Sequence, residues 1–300
     1  MNDSPSSPDL DAVARRSAAR PLEPFETGGR VFRHHPHTDI MGVINLSTDS
    51  FYRETVAFDA DAVRRKADLM RAEGAAIADL GLKSSRIAQA PFEADAMRVK
   101  LAGALDALRG RDLAIAIDTD DPEFARIALD GGATILNVTT TNERGEFEAF
   151  LELRERYDAA IVACYTPGFP RSEAEKRNTL DGIGPALAEL AERFRRDGIR
   201  RAWLDPGLGF SARLFARHPD RIRAQLRSLF DSCELRSLGF PACQSMPNAF
   251  EIFQDHVTSA EVLFGTVGWL GGADLIRTHE PGKMSAVLRT LQTLAEQAPG

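Results

Sequence analysis

The chain has few of the features that mark secreted, membrane or nucleic-acid-binding proteins. It has only three cysteines, an odd number with wide spacing, which excludes a disulfide framework and a cysteine metal site. No apolar stretch could span a bilayer or form the core of a signal peptide. The chain has 37 Lys and Arg residues and 44 Asp and Glu residues, so its net charge is negative and non-specific binding to nucleic acid is disfavoured. We therefore expect a cytoplasmic protein without nucleic-acid or membrane partners.

Nucleotide-binding signatures are missing as well, since the sequence has neither a Walker loop nor a Gly-x-Gly-x-x-Gly run. What the chain does have, after an N-terminal tail over residues 1–30, is a regular alternation of short apolar runs and amphipathic stretches. This alternation predicts a (β/α)₈ TIM barrel over residues 31–300, with a doubly wound open sheet as the alternative. The predicted strands are Ile40–Leu46, Ala75–Leu80, Leu113–Ile117, Thr134–Val138, Ala159–Cys164, Ala202–Leu204, Leu235–Leu238 and Ala273–Ile276.

Polar side chains stand where these predicted strands end, which is where barrels of this kind build their sites. Asn45 follows the first strand and offers an amide to a ligand, although an asparagine turn is the plain alternative. Asp118 and Asn137 end the third and fourth strands. Asp205 leaves the sixth strand directly into a Pro-Gly turn, and an acid at the buried end of a strand needs a donor as partner. Carboxylates and amides together suit a flat heterocycle with N–H donors and carbonyl acceptors.

Cations at other strand ends suit an anion. Ser85 and Arg86 lie in the loop after the second strand, where hydroxyls beside a guanidinium fit a phosphate unless the loop is simply solvated. Arg277 and His279 follow the eighth strand on one side of an extended segment, with a surface salt bridge as the alternative. The histidines of the His34–His37 group precede the first strand, and we expect them to be solvated and away from the chemistry.

Six segments in this order resemble the dihydropteroate synthase family. The run Met41-Gly-Val-Ile-Asn45 and its loop are similar to that family's Met-Gly-Ile-Leu-Asn-Val-Thr-Pro-Asp-Ser-Phe. The other five segments are Asp79-Leu-Gly with Ser84-Ser-Arg86, Ile117-Asp-Thr, Ile135-Leu-Asn137, Asp205-Pro-Gly-Leu-Gly-Phe210 and Ile276-Arg-Thr-His279.

The resemblance implies a transferase that displaces pyrophosphate from a dihydropterin with an arylamine. It implies that Asp118, Asn137, Asp205, Ser85, Arg86 and Phe210 bind the substrate, the first three at the pterin ring. It further implies catalytic roles for Asn45, Arg277 and His279, which with Arg86 hold the pyrophosphate and Mg²⁺, with Asn45 as the metal ligand. We also expect a homodimer.

The region after the seventh predicted strand departs from the family. The family has a Ser-Arg-Lys run there, whose lysine contacts the pterin near the arylamine. Residues 239–248 of this chain have no lysine, and Gln244, Ser245 and Asn248 remain as polar candidates to position the amine. This departure favours a different arylamine, such as the ribosylated aminobenzene of methanopterin-type cofactors. It also allows a non-catalytic pterin-binding or regulatory protein. A pterin-dependent methyltransferase barrel is a third hypothesis.

Overall fold

Eight parallel strands form one barrel sheet. The structure, a computed structural model, describes residues 21–47, 56–82, 93–139, 146–165, 173–208, 218–247 and 249–296. A short antiparallel hairpin, β1 (Phe25–Thr27) and β2 (Arg30–Phe32), precedes the barrel. The barrel strands are β3 (Asp39–Asn45), β4 (Ile77–Gly81), β5 (Ala114–Asp118), β6 (Ile135–Thr139), β7 (Ala160–Cys164), β8 (Ala202–Asp205), β9 (Cys243–Ser245) and β10 (Leu275–Thr278).

The strands run in the order β8-β7-β6-β5-β4-β3-β10-β9, and β8 meets β9 across the remaining gap. There Leu204 bridges to Ala242 in parallel, and its N–H donates to the Pro241 carbonyl at 2.9 Å. The predicted (β/α)₈ barrel is therefore confirmed, and the open-sheet alternative is wrong.

Helices cover the outside of the barrel, and the main apolar core lies between them and the strands. Their starts follow local chemistry: the Asp59 carboxylate caps one helix and the Asp121 carboxylate caps another that has Pro122 in its first turn. No helix in the described part of the chain combines the length and the apolar character needed to cross a bilayer. The helices are α1 (Ala60–Ala72), α2 (Ala94–Leu108), α3 (Pro122–Asp130), α4 (Glu146–Arg156), α5 (Glu173–Arg196), α6 (His218–Phe230), α7 (Ser232–Arg236), α8 (Phe250–Phe253), α9 (Val257–Leu270) and α10 (Pro281–Glu296), with a 3₁₀ turn at Gln254–His256.

The seventh barrel strand lies later in the chain than the sequence predicted. The run Leu235–Leu238 is not a strand, because its first residues belong to helix α7, and the strand is Cys243–Ser245. This strand was missed because it has no apolar run. Cys243 packs inside the barrel, whereas the outward Gln244 side chain donates to the Ser232 hydroxyl at 2.8 Å.

The closed end of the barrel is filled by aromatic side chains from the hairpin. Phe25 and Phe32 pack edge-on against Trp203, with ring centroids 4.6 Å and 5.1 Å away. Strand β1 falls within residues 21–30, which the sequence assigned to the tail, so ordered structure begins before residue 31. Residues 1–20 lie outside the described part of the chain. We call these packed rings of Phe25, Phe32 and Trp203 the plug. Because the plug fills one end of the barrel, a site is expected at the opposite end, where the strands finish.

His34 packs against this plug, so the expectation that it is solvated was wrong. Its ring is buried and lies 5.4 Å from the ring of Phe25. Burial lowers the pKa of His34 to about 4, although a hydrogen bond to the Glu23 carbonyl opposes the shift. The expected position of the group, away from the strand ends, is confirmed.

Candidate active site

Inward-facing residues near the carboxyl ends of the strands form one polar layer. Successive residues of a strand point to opposite faces, so each strand contributes its alternate side chains to the barrel interior. Asn45, Gly81, Asp118 and Asn137 are register partners across the four neighbouring strands β3 to β6. Below this layer the interior is apolar, with residues such as Ile135 and Leu275. The polar layer is therefore the floor of the open end of the barrel.

Arg277 joins two carboxylates in the middle of this floor. Its Nε donates to Asp79 Oδ2 and its Nη2 donates to Asp118 Oδ2, each at 2.7 Å. Asn137 Nδ2 also donates to Asp79 Oδ2, at 3.2 Å. The Asp79 side chain has no solvent exposure, and a buried carboxylate is stable only when it is paired. Arg277 is the cation that pairs with Asp79 inside the barrel.

Asp205 has a separate set of donors. The N–H of Gly207 donates to its Oδ1 and the Ser245 hydroxyl donates to its Oδ2, each at 2.7 Å. Gly207 has a φ of +73°, and a Cβ there would lie 1.8 Å from the Tyr165 carbonyl oxygen, so only glycine fits this turn. Burial nevertheless raises the pKa of Asp205 above its ordinary value, because these hydrogen bonds and Arg277 offset only part of the desolvation.

The floor carries more acid than base. Burial raises the pKa of Asp118 to about 7, with further contributions from Asp79 and Asp205, and the opposing effect of Arg277 is smaller. Cys164 and Cys243 lie beside these carboxylates as neutral thiols, because burial raises their pKa well above the ordinary value. Three carboxylates around one guanidinium present acceptors, so the floor suits a ligand edge that is rich in N–H donors.

Asn45 lies at the rim of the floor, over a glycine. A Cβ added to Gly81 would lie 2.7 Å from Asn45 Oδ1, so the glycine makes room for this amide oxygen. Among the described residues no group of three or more His, Cys, Asp or Glu side chains could enclose a metal ion. Mg²⁺ prefers oxygen ligands and is often held by one or two protein oxygens together with substrate phosphates. One amide oxygen at the rim fits that second mode of binding.

His279 lies beyond the end of β10 and is held by Glu261, a residue of the surrounding helices. Its Nδ1 lies 2.7 Å from Glu261 Oε1, and its backbone N–H donates to Glu261 Oε2 at 2.9 Å. Glu261 belongs to helix α9 and is completely buried. The two cationic residues predicted after the eighth strand therefore occupy different surroundings, Arg277 inside the barrel and His279 above it.

Comparison with known proteins identifies the family. Residues 41–239 match the family model described as "Pterin binding enzyme". This match covers more than half of the chain. The chain belongs to the pterin-binding enzyme family.

Curated relatives match this pterin-binding chain along most of its length. It is 28% identical to dihydropteroate synthase type-2 of Escherichia coli, over 86% of this chain and 97% of that one. It is 27% identical to dihydropteroate synthase of Synechocystis sp., over 90% and 95% of the two chains. The resemblance that the strand-end residues indicated is thereby confirmed.

Solved structures share the fold. Dihydropteroate synthase from Vibrio fischeri superposes with a TM-score of 0.73 at 20% identity, over 93% of this chain and 100% of that one. The Thermus thermophilus enzyme in complex with 6HMPPP gives 0.70 at 24% identity, over 91% and 100%.

The described part of the candidate site brings several predicted residues together. Asp118 and Asn137 both connect to the Asp79–Arg277 pair, and Asp205 lies close enough to affect the pKa of Asp118. The resemblance assigned Arg277 to pyrophosphate, and in the structure its Nε and Nη2 donate to Asp79 and Asp118. The predictions for Ser85, Arg86 and Phe210 concern residues outside the described part of the chain.

Two residues of the site had no specific role in the sequence prediction, and a third, Ser245, was predicted only as a candidate to position the amine. Asp79 was quoted only as part of a motif, although a single acid within an apolar strand is a signal of a buried pair. Ser245 was placed in a loop and lies on strand β9. Glu261 is the only acid of the otherwise uncharged helix α9, and that isolation was the signal.

Arg277→Met should destabilise the protein by about 3–5 kcal/mol, because it leaves Asp79 buried and unpaired. Urea unfolding measures this change. Arg98→Met is the matched control: Arg98 pairs with Glu123 on the surface, and its loss should leave the stability nearly unchanged.

The same substitution should weaken binding of unphosphorylated pterin as well as of dihydropterin pyrophosphate, since Asp118 loses the group that holds it. A role of Arg277 at the pyrophosphate alone, as the resemblance implies, predicts instead that its removal spares the unphosphorylated ligand. Stability equal to that of the Arg98 variant, or a loss confined to the pyrophosphate ligand, would contradict the arrangement described for Arg277.

Proposed function

We propose that this protein joins a dihydropterin pyrophosphate to an arylamine and releases pyrophosphate, as a dihydropteroate-synthase-like transferase. The observation that carries the proposal is the acceptor-rich floor of Asp118, Asn137 and Asp205 at the open end of a barrel of the pterin-binding family. The relatives described above support the reaction, because each is named as a dihydropteroate synthase. Their names favour folate biosynthesis.

The floor is suited to the pterin ring because the two hydrogen-bonding patterns are complementary. A pterin carries an amino group and ring N–H groups along one edge, and these donors need acceptors such as the carboxylates of Asp118 and Asp205. Ser245 and Gly207 hold Asp205, while Arg277 holds Asp118, so both acceptors are fixed before a ligand arrives. Preorganisation of this kind lowers the cost of binding.

The reaction forms one carbon–nitrogen bond and breaks one carbon–oxygen bond. The amine nitrogen attacks the methylene carbon of the pterin, the pyrophosphate departs with the electron pair of the C–O bond, and the amine loses a proton. Carboxylates at the edge of the ring favour cationic character as the C–O bond lengthens. His279, above the floor, and Asn45, at its rim, would contact the leaving pyrophosphate. Mg²⁺, held by Asn45 and phosphate oxygens, would neutralise charge on that group.

The proposal also includes the cellular location and the oligomeric state of the protein. The first is a cytoplasmic location, supported by three buried cysteines that form no disulfide, as expected in a reducing compartment. The second is the homodimer that we expect. The methyltransferase alternative needs no pyrophosphate site. Of the two cationic residues after the eighth strand, His279 still argues against it, whereas Arg277 pairs with carboxylates.

A larger arylamine than p-aminobenzoate is a second candidate for the nucleophile. The observation that favours a larger amine concerns the residues around strand β9. Residues 239–248 contain no lysine or arginine, and the Ser245 hydroxyl donates to Asp205. A carboxylate on the amine would therefore meet no cation from this region. An amine that carries a ribose phosphate brings its own contacts and depends less on such a lysine.

Turnover with the two amines tests the reaction and the choice of nucleophile. With dihydropterin pyrophosphate and Mg²⁺, we expect a higher kcat/KM for a ribosylated aminobenzene phosphate than for p-aminobenzoate. Release of pyrophosphate measures both rates. Robust p-aminobenzoate turnover would refute the larger amine and leave the transferase intact. No turnover with either amine, alongside intact pterin binding, would favour a non-catalytic pterin-binding protein.

Binding of unphosphorylated pterin should weaken as the pH falls through about 7, the pKa of Asp118. Above that pH the carboxylate is ionised and accepts a ring N–H, whereas below it the group is protonated and loses this capacity. If only the ionised form binds, affinity falls about tenfold between about pH 8 and about pH 6. Calorimetry across this range measures it, with Asp118→Asn as the variant that should bind weakly without this slope. A slope that persists in Asp118→Asn would assign the titration to another group.

A further inference from the structure

Glu261 is a buried carboxylate without an arginine or lysine partner among its contacts in the described part of the chain. Its side chain has no solvent exposure and extends from helix α9 toward the end of β10. It accepts hydrogen bonds from the Thr278 hydroxyl and from the backbone N–H of His279, and it lies 2.7 Å from His279 Nδ1. A buried carboxylate is costly unless it is paired, so an acid at this position needs a reason beyond packing.

The surroundings of Glu261 favour its ionised form. Burial alone would raise its pKa, but the charge of His279 and the hydrogen bonds from His279 and Thr278 outweigh burial, so the pKa of Glu261 lies below its ordinary value. An ionised Glu261 requires a proton on Nδ1 of His279, since two acceptors cannot share the 2.7 Å contact. The hydrogen bond on one ring nitrogen fixes the role of the other. His279 must therefore meet a ligand through Nε2.

We propose that Glu261 is the positioning residue of the pyrophosphate end of the site: it fixes the ring orientation and the proton of His279, so that Nε2 faces the anion. This inference rests on the proposed function, because the anion is the leaving pyrophosphate of that substrate. Glu261 does not touch the substrate and acts only through His279. The bonds to Thr278 and the His279 N–H anchor the same turn, so three contacts locate one ring.

A purely structural role is the competing explanation, since the same contacts tie helix α9 to the turn after β10. The two roles differ in what they predict for ligands. A structural acid affects the whole protein, whereas a positioning acid affects only what His279 does. The chain offers a matched control in Asp274, another buried carboxylate, which accepts from the backbone N–H groups of His35 and Ala242, each at 2.8 Å, at the opposite end of strand β10.

The test is a double-mutant cycle read by calorimetry in the presence of Mg²⁺. Glu261→Gln should weaken binding of dihydropterin pyrophosphate about tenfold and leave unphosphorylated pterin unchanged, in keeping with the loss of one charged hydrogen bond. In a His279→Gln background the same substitution should have no further effect. Asp274→Asn should change neither affinity.

Equal weakening of both ligands, or an effect of Glu261→Gln that persists without His279, would overturn the inference and leave the proposed function standing. If the wild-type protein binds neither pterin ligand, the proposed function fails, and titration of inorganic pyrophosphate with the same variants decides the role of Glu261.

Nitrogen NMR of the ligand-free wild-type protein gives a readout that does not depend on how the variants fold. It should show the proton of His279 on Nδ1, and an Nε2 signal that shifts when inorganic pyrophosphate is added. An unprotonated Nδ1 would overturn the inference directly.

Discussion

The bonds from Arg277 to Asp79 and Asp118 are the interaction on which the site depends. A barrel interior has a low effective dielectric, where an unpaired carboxylate is costly and two neighbouring ones repel each other. One guanidinium with two donors at 2.7 Å resolves this problem for the buried Asp79 and the partly exposed Asp118 together. Asp205, held by Ser245 and Gly207, can then lie nearby as a third acid. The floor retains acceptor capacity that a donor-rich ring can use.

Strand β10 connects the two ends of the proposed reaction. Arg277 points into the barrel toward the ring site, and His279, two residues later, is fixed above the barrel by Glu261. The alternation of side chains along an extended segment would place both residues on one side, but the chain leaves the strand at Thr278. In the proposed reaction, a fixed ring floor and a fixed histidine would define the line along which the C–O bond breaks. The family membership and the geometry thus support the same transferase.

The barrel and most strand-end residues could be predicted because they depend on local patterns. Apolar runs predict seven of the strands, and Asn45, Asp118, Asn137 and Asp205 follow from where those runs end. Strand β9 could not be found in this way, since it is three residues long and carries Gln244 and Ser245. The partners of Arg277 lie 198 and 159 residues earlier in the chain, so only the closed sheet brings them together. Local spacing has no information about such pairs.

The central claim is that the acid-rich floor binds the pterin ring, and the affinity of unphosphorylated pterin for Asp205→Asn tests it most directly. The substitution keeps the size of the side chain and replaces a charged acceptor for ring N–H groups. It should weaken binding by about 1.5–3 kcal/mol, the range for hydrogen bonds to charged groups, in a protein that unfolds cooperatively like the wild type. Unchanged affinity in a folded Asp205→Asn protein would contradict the assignment of the ring pocket.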